Sequence, residues 1–301
     1  MVARTRSLAA LGCVVLVLIA SIPASAQIED AISAYTGANA EGYLEPLAQA
    51  IGANLNSALF HSAHVPEGGL HVSLELGLMA VLFSDDDETF MATTEMGFSP
   101  ETTVEAPTVV GPGGAIIVPG DGGTAFPFPG GFNLASLALA APQLRIGSFK
   151  GTEALIRYMA FDTGDVEIGD VDLQGYGLRH SISQYFPGLP VDIAAGIMYQ
   201  RFKLGDDLID ATAFSFGAQA SMKLPLVFAT IEPYAGLSMD TFQMDVAYDD
   251  EDNDPVSVEF DSRSTAHLTL GLHAQVTVVS LYGEYNIAEQ SGFAFGIGFG
   301  F

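Results

Sequence analysis

The last eleven residues, Ser291 to Phe301, alternate without a break. Phe293, Phe295, Ile297, Phe299 and Phe301 fall on one parity, and Gly292, Ala294, Gly296, Gly298 and Gly300 on the other. Side chains in a strand point to opposite faces with a period of two, so one face here is all bulk and the other almost bare. A soluble sandwich can bury such a face, but rarely on a strand that ends the chain with a free carboxylate directly after phenylalanine. An apolar medium on one side of a strand that finishes in an aromatic residue suits a membrane wall better.

The same contrast recurs upstream. Leu70, Val72, Leu74, Leu76, Leu78, Ala80 and Leu82 oppose His71, Ser73, Glu75, Gly77 and Met79, after which Asp85-Asp86-Asp87-Glu88 marks an exposed loop. Val191, Ile193, Ala195, Ile197 and Tyr199 oppose Asp192, Ala194, Gly196, Met198 and Gln200. Ala266, Leu268, Leu270 and Leu272 oppose Thr265, His267, Thr269, Gly271 and His273. Strands with one apolar and one polar face fit a barrel that meets lipid outside and water inside. Glu75, Asp192, Lys223, Glu232, His267, His273 and Glu284 are the candidate lumen-lining residues; their charges would be costly in a dry sandwich core.

The first 26 residues carry Arg4 and Arg6, an apolar run from Leu8 to Ala20, and Ala24-Ser25-Ala26. That is a secretory signal with cleavage expected before Gln27. Cys13, the one cysteine, sits within the apolar run, so the exported chain is read as cysteine-free. No later segment reaches the 18 or so uninterrupted apolar residues of a membrane helix. The remaining residues have room for roughly 12 strands. The expected fold class is therefore all-β, an antiparallel transmembrane β-barrel of about 12 strands, within a range of roughly 10 to 14, with a short N-terminal helical plug segment.

Residues 27–66 form that segment. Leu44, Leu47, Ala48, Ile51, Leu55 and Leu59 recur at helical spacing, and Pro46 is expected in the first turn. The helix is either a plug inside the barrel or a periplasmic helix against its rim; the need to cover its apolar face favours the plug. Residues 67–301 are the barrel, with a long Gly/Pro-rich loop at 100–131, extracellular or folded into the mouth, that has room for a short hairpin near Ala115 to Val118. Tyr199, Tyr234, Tyr248, Tyr282 and Tyr285 are expected near strand ends in aromatic girdles.

Without the leader's two arginines, eight basic residues face 36 acidic ones, a net charge of −28, and no Lys or Arg occurs from Gln27 to Leu144. Nucleic acid is a poor partner for such a chain. A saline habitat explains this acidity as well as a cation-handling role does.

Lys150 to Asp249 resembles an uncharacterised family of bacterial outer-membrane barrel proteins, a domain of unknown function. The resemblance is carried by Gly151-Thr152, Gly175-Tyr176-Gly177-Leu178-Arg179-His180-Ser181, Phe186-Pro187, Leu189-Pro190-Val191-Asp192-Ile193-Ala194 and Pro233-Tyr234-Ala235-Gly236-Leu237, with Tyr43-Leu44-Glu45-Pro46-Leu47 and Leu55-Asn56-Ser57 near the start. It implies a barrel and brings no activity. A looser resemblance of architecture is to long-chain fatty-acid transporters, whose Asn-Pro-Ala hatch motif is missing here.

Chemical constellations are weak. His180 and Ser181 are adjacent and point apart on a strand, which leaves Ser183 as the serine to weigh for a lipase-like pair. His61, His64 and His71 have no specific metal spacing. The acidic run Asp249 to Asp254 starts like a calcium loop but has Pro255 where glycine is required and Asp261 where glutamate is. The sequence thus points to an exported outer-membrane channel or transporter for small solutes, cation-preferring or neutral, without catalytic residues, metal site or cofactor. A hydrophobic-ligand transporter opening sideways near Pro225 or Pro233, or a surface-binding barrel, is the alternative, and an outer-membrane hydrolase the third reading. Expected partners are outer-membrane lipids, the barrel assembly machinery reading Phe299 and Phe301, and divalent cations at the acidic loops.

Overall fold

The structure, a computed structural model, describes residues 31–35, 37–95, 97–162, 169–205, 208–249, 255–261 and 264–300. The leader and its cleavage position, the acidic run 250–254 and Phe301 lie outside the described residues. In chain order the elements are α1 (Gly37–Leu55), β1 (Gly68–Leu82), β2 (Thr89–Thr93), β3 (Thr103–Pro107), β4 (Ile116–Pro119), β5 (Ala125–Phe128), β6 (Ser136–Phe149), β7 (Thr152–Asp162), β8 (Asp170–Ser181), β9 (Asp192–Leu204), β10 (Ile209–Ser221), β11 (Leu224–Pro225), β12 (Thr230–Asp249), β13 (Pro255–Asp261), β14 (Thr265–Val276), β15 (Val279–Ile287) and β16 (Gly292–Gly300).

Strands β1, β6, β7, β8, β9, β10, β12, β14, β15 and β16 pair antiparallel in that order, and β16 returns to β1 from Ser73–Gly300 to Val81–Gly292. This is a closed barrel of ten strands, with β11 and β13 outside the ring and paired to β12. Ten lies at the low end of the expected range for a local reason. The 83–135 connection, most of it expected as a loop, forms the hairpins β2–β3 and β4–β5 off the ring and adds no wall strand.

Two-residue turns such as Lys150-Gly151, both at positive φ, join strands at one end. The 83–135 connection lies at the other. Barrels of this class keep short turns periplasmic and long loops outside.

The outer parity exposes Leu74, Leu178, Ile197, Phe216, Leu237, Leu270, Leu281, Phe295 and Phe299 around the wall. A contiguous apolar belt of that extent is untenable in water and is what hydrocarbon requires. Ring closure leaves no unpaired sheet edge around most of the circumference.

The inner parity changes character along the strands. Toward the loop end it is apolar: Met79 and Val81 on β1, Leu137 and Leu139 on β6, Phe202 and Leu204 on β9, Ile209 and Ala211 on β10, Met244 and Val246 on β12. Toward the turn end it is polar: Glu75, Arg145, Glu153, Gln200, Gln219 and Glu232. The N-terminal segment explains the change. In the apolar half lies α1, which satisfies its own backbone and buries Leu44, Leu47, Ile51 and Leu55. In the polar half runs a strap, residues 56–66, in neither helix nor strand; the amides of Asn56 and Ser57 still bond back to α1, and beyond them the strap's backbone takes partners from the wall.

The helix begins earlier than the leucine spacing indicates, so Pro46 lies inside it rather than in its first turn, and Leu59 lies beyond its end. Proline removes one helical donor and crowds the preceding turn. At that point the loop intervenes, with the Val109 amide donating to the Tyr43 carbonyl at 2.9 Å. Hairpins β2–β3 and β4–β5 fold over the mouth against α1. Tyr43 donates to the Gly130 carbonyl at 3.0 Å, Asn39 to the Thr93 carbonyl at 2.7 Å, and Tyr35 packs among Tyr43, Phe90 and Phe128. Burial raises the phenol pKa values of Tyr35 and Tyr43, which keeps both as donors.

Among the described residues, the pairing within the ring lapses between β6 and β7. Pairing of β6 with β7 runs from Phe149–Thr152 to Gln143–Arg157 and stops, although β6 continues to Ser136 and β7 to Asp162. The next β6 residue is Pro142, on the parity whose backbone faces β7, and it has no N–H to offer. The gap is at Pro142. At Pro233 the wall strands are joined, β12 pairing with β14 at Pro233–Leu272, and Pro225 lies on β11, outside the ring and paired with Thr230 of β12.

Candidate functional site in the plugged lumen

The strap crosses the lower lumen on hydrogen bonds from wall side chains to its backbone. Arg157 on β7 is the hub. Its guanidinium donates to the carbonyls of Leu55 at 3.3 Å, Ser57 at 3.1 Å and Ala58 at 2.9 Å, and to Gln200 at 3.0 Å and Gln143 at 3.1 Å. The Leu55 carbonyl also accepts from Gln200. A cation at the last carbonyls of α1 meets the negative end of the helix dipole, so the hub caps the helix as well as holding the strap. Further down, the Phe60 carbonyl accepts from Gln219, and the Ala63 amide donates to the Ser221 hydroxyl at 2.9 Å. On the other side the Ala58 amide donates to Glu284 at 2.7 Å.

Around the strap each carboxylate is held by hydrogen-bond donors, by a guanidinium or by a nearby imidazole. Glu75 accepts from Gln143 at 2.9 Å and Arg145 at 3.1 Å and lies 3.2 Å from His61, whose ring stacks on Tyr282 at 4.1 Å. Glu153 pairs with Arg179 and lies 3.1 Å from His71. Glu232 accepts from Ser62 at 2.7 Å and Ser221 at 2.5 Å, with His273 at 3.6 Å. Glu284 also accepts from Tyr234 at 2.7 Å. Glycines opposite the tyrosines make this packing possible: a Cβ on Gly271 would overlap the Tyr234 ring, and one on Gly296 the Tyr282 ring.

The structure places Glu75, Glu232, His273 and Glu284 on this network and His267 above it, 2.6 Å from Asp240. Asp192 sits at the turn end of the lumen, 3.1 Å from His64. Lys223 is exposed in the turn between β10 and β11, beyond the end of the strand whose inward parity would have carried it into the lumen. Phe299 faces outward on β16. Three of the tyrosines expected in girdles, Tyr234, Tyr248 and Tyr282, point inward and are buried, while Tyr199 and Tyr285 face out. Inward parity decides this, because a phenol in the lumen finds acceptors such as Glu284 or, for Tyr248, the Tyr35 carbonyl.

Sequence reasoning passed over Arg145, Glu153, Arg157 and Arg179. Their register with Glu75 across the sheet, which puts them on its inner face, is a property of the fold and not of the local sequence.

The weaker constellations come apart. His180 bonds Thr152 at 2.8 Å and Tyr185 at 2.9 Å, while Ser183 lies in a turn beyond the strand, bonded to Ser181 and the Ile193 carbonyl. His61, His64 and His71 go to three different carboxylates.

Above the strap, at the loop end, a cavity of about 460 Å³ opens between α1 and the wall. It lies where β13 gives way to β14, and Glu41, Glu45 and Gln49 of α1 face Asp240, Phe242, Phe260, His267 and Glu289 across it. Asn56, the first strap residue, is at its floor.

A protein-family model matches residues 5–301, nearly the whole chain. The chain belongs to DUF6588, a family of unknown function. No curated protein matches it. Among solved structures, the β domain of the Bordetella autotransporter BrkA aligns over 77% of this DUF6588 chain and 98% of its own, at 12% identity and a TM-score of 0.30. Vibrio cholerae OmpT, an outer membrane protein in its trimer form, covers 78% and 100% at 10% identity and a TM-score of 0.28. The CymD monoaromatic hydrocarbon channel covers 94% and 97% at 12% identity and a TM-score of 0.23. For this DUF6588 protein the outer-membrane β-barrel architecture stands on its own register, closure and apolar belt.

Proposed function

We propose that this barrel is a gated outer-membrane transporter of small cationic or neutral solutes, with no catalytic step of its own. One observation carries the reading: the lumen is closed by a segment held through hydrogen bonds to its backbone, a contact that can be made and unmade without covalent change. An open porin has no such strap, and a purely structural barrel has no need of buried arginines aimed at it. Wall carboxylates exceed wall arginines among the described lumen residues, which favours cations once the strap moves. Outer-membrane lipids around the belt, the assembly machinery at the C-terminal strand and divalent cations at the acidic loops belong to the same proposal.

Planar-bilayer recording tests it. The full chain is expected to be mostly closed, and a chain lacking residues 27–66 to conduct potassium better than chloride. Chloride preference, or silence of the shortened chain once its barrel is shown to be folded, overturns the reading.

A second reading, passage of an apolar ligand sideways into the bilayer, is favoured by the unpaired stretch above Pro142. The exported chain is cysteine-free on the expected cleavage, so an Ala140→Cys/Ala160→Cys pair can close that gap selectively. Unchanged uptake of an apolar probe in the cross-linked protein removes this second reading and leaves the first.

A further inference from the structure

The cavity beside α1 has the chemistry of a receptor for a particular kind of solute, an inference that rests on the transport reading above and names the substrate class of that route. Its acidic groups come from three separate elements: Glu41 and Glu45 on the exposed face of α1, Glu289 in the turn after β15, and Asp240 on β12. Asp240 is already held by His267 at 2.6 Å, which in turn lies 2.9 Å from Asn286. That leaves three carboxylates facing the space without a lysine or arginine among the described lining residues.

Two further observations restrict what these carboxylates can take. Among the described residues no three His, Cys, Asp or Glu converge closely enough to hold a metal ion, so the charge is spread over a wall and not focused on a point. A bare divalent cation needs several oxygens at once within about 2.6 Å. The second observation is Asn56. It is 8% exposed, lines the cavity floor, and its Oδ1 has no hydrogen-bond partner. A buried amide oxygen left unmatched in the protein is an acceptor that waits for a donor. Beside it are the Phe242 and Phe260 rings, which can cover an apolar portion or face a cation.

We propose that the cavity binds a small organic ammonium ion, its N–H groups donated to Asn56 and its charge balanced by Glu41, Glu45 and Glu289, with an apolar part against Phe242 and Phe260. A cavity of 460 Å³ is of the size that accepts such a molecule. Asn56 joins the strap to α1, so an occupant of the floor contacts the first residue of the closing segment.

The test uses the full chain in detergent and 2-phenylethylammonium as probe, titrated by calorimetry. The ammonium is expected to bind at least tenfold tighter than the neutral 2-phenylethanol, and 3-phenylpropionate not to bind measurably. A Glu41→Gln/Glu45→Gln/Glu289→Gln variant, altered only at exposed positions, is expected to lose at least tenfold in affinity, as is Asn56→Leu. Equal affinity for the alcohol, insensitivity to the triple variant, or displacement of the probe by equimolar calcium overturns the inference. Failure of the transport reading looks different: the probe binds as stated while the chain without residues 27–66 fails to conduct. Conduction without probe binding removes the ammonium site alone.

Discussion

Replacing Arg157 by methionine is the sharpest perturbation of the closed state. The substitution keeps a long unbranched side chain in a fully buried site and removes every donor. On the strap side the Leu55 carbonyl still has Gln200, while on the wall Gln143 and Gln200 lose the donor to their Oε1 atoms and keep the bonds their amide nitrogens make. The carbonyls of Ser57 and Ala58 lose the bonds of 3.1 Å and 2.9 Å that Arg157 gives them. Each buried carbonyl left unmatched costs about 1–3 kcal/mol, so the strapped state is weakened by roughly 2–6 kcal/mol relative to one in which water reaches the strap. At about 1.4 kcal/mol per factor of ten, the open fraction rises at least about 30-fold. Hydrogen exchange of the 57–63 amides, followed by mass spectrometry in detergent, reads this directly, and single-channel recording should show openings that are rare in the parent. Arg201→Met serves as the control: its partner Asp210 is on the surface, and exposed pairs contribute about 0–1 kcal/mol. If Arg157→Met leaves exchange at 57–63 within twofold of the parent, the hub does not hold the strap and the gating argument fails.

Other consequences can be checked independently. Leu270→Arg, on the lipid-facing parity near mid-strand, should lower barrel stability by about 2–4 kcal/mol in a denaturant titration in lipid, whereas Thr269→Arg next to it should spare the lipid face; equal losses would contradict the assignment of faces. Gly271→Val should push Tyr234 off Glu284 and release the Ala58 amide, visible as faster exchange at residue 58, with no effect if the ring has room to shift. Pro142→Val restores a donor facing β7, so protection of the Ala140 and Tyr158 amides should rise; no change would mean that proline is not what ends the pairing.

The faces of the wall were legible because a period of two is a local property of the chain. Glu75, Glu232 and Glu284 could be assigned to the lumen from their neighbours alone. Lys223 could not, since the turn after Ser221 breaks the alternation that would place it. The tyrosines were misplaced by composition: aromatic residues near strand ends suggest girdles, yet Tyr234 and Tyr282 stand on the inner parity opposite glycines that admit their rings. Closure of the ring, and the meeting of Arg157 with Ser57 across 100 residues of chain, have no local signature. The helix left a pattern in its leucines, while the strap left none, because what holds it is its backbone.

That difference decides which part of the plug can move. Apart from Ala58, strap residues sit only in two small apolar clusters, Leu59 and Phe60 with Leu155 and Met198, and Ala63 and Val65 with Ala194, and depend chiefly on bonds worth about 1 kcal/mol net each, somewhat more where the donor is charged. Helix α1 buries Leu44, Leu47, Ile51 and Leu55 in the largest apolar cluster of the protein and is clamped from above by Tyr43 on Gly130 and Asn39 on Thr93. Burying one such leucine stabilises by about 1.5–3 kcal/mol, so freeing the helix costs far more than freeing the strap. On the gating proposed above, opening is therefore expected to begin at the turn end, with 57–64 peeling from the wall while α1 stays seated. Exchange should be fast at 57–64 and slow in the second half of α1, and a disulfide from α1 to β6 should leave conductance through the Arg157→Met variant intact. If the two segments exchange at the same rate, or if tying α1 to the wall silences the variant, the plug leaves as one body and the division of the lumen into an apolar and a polar half has some other cause.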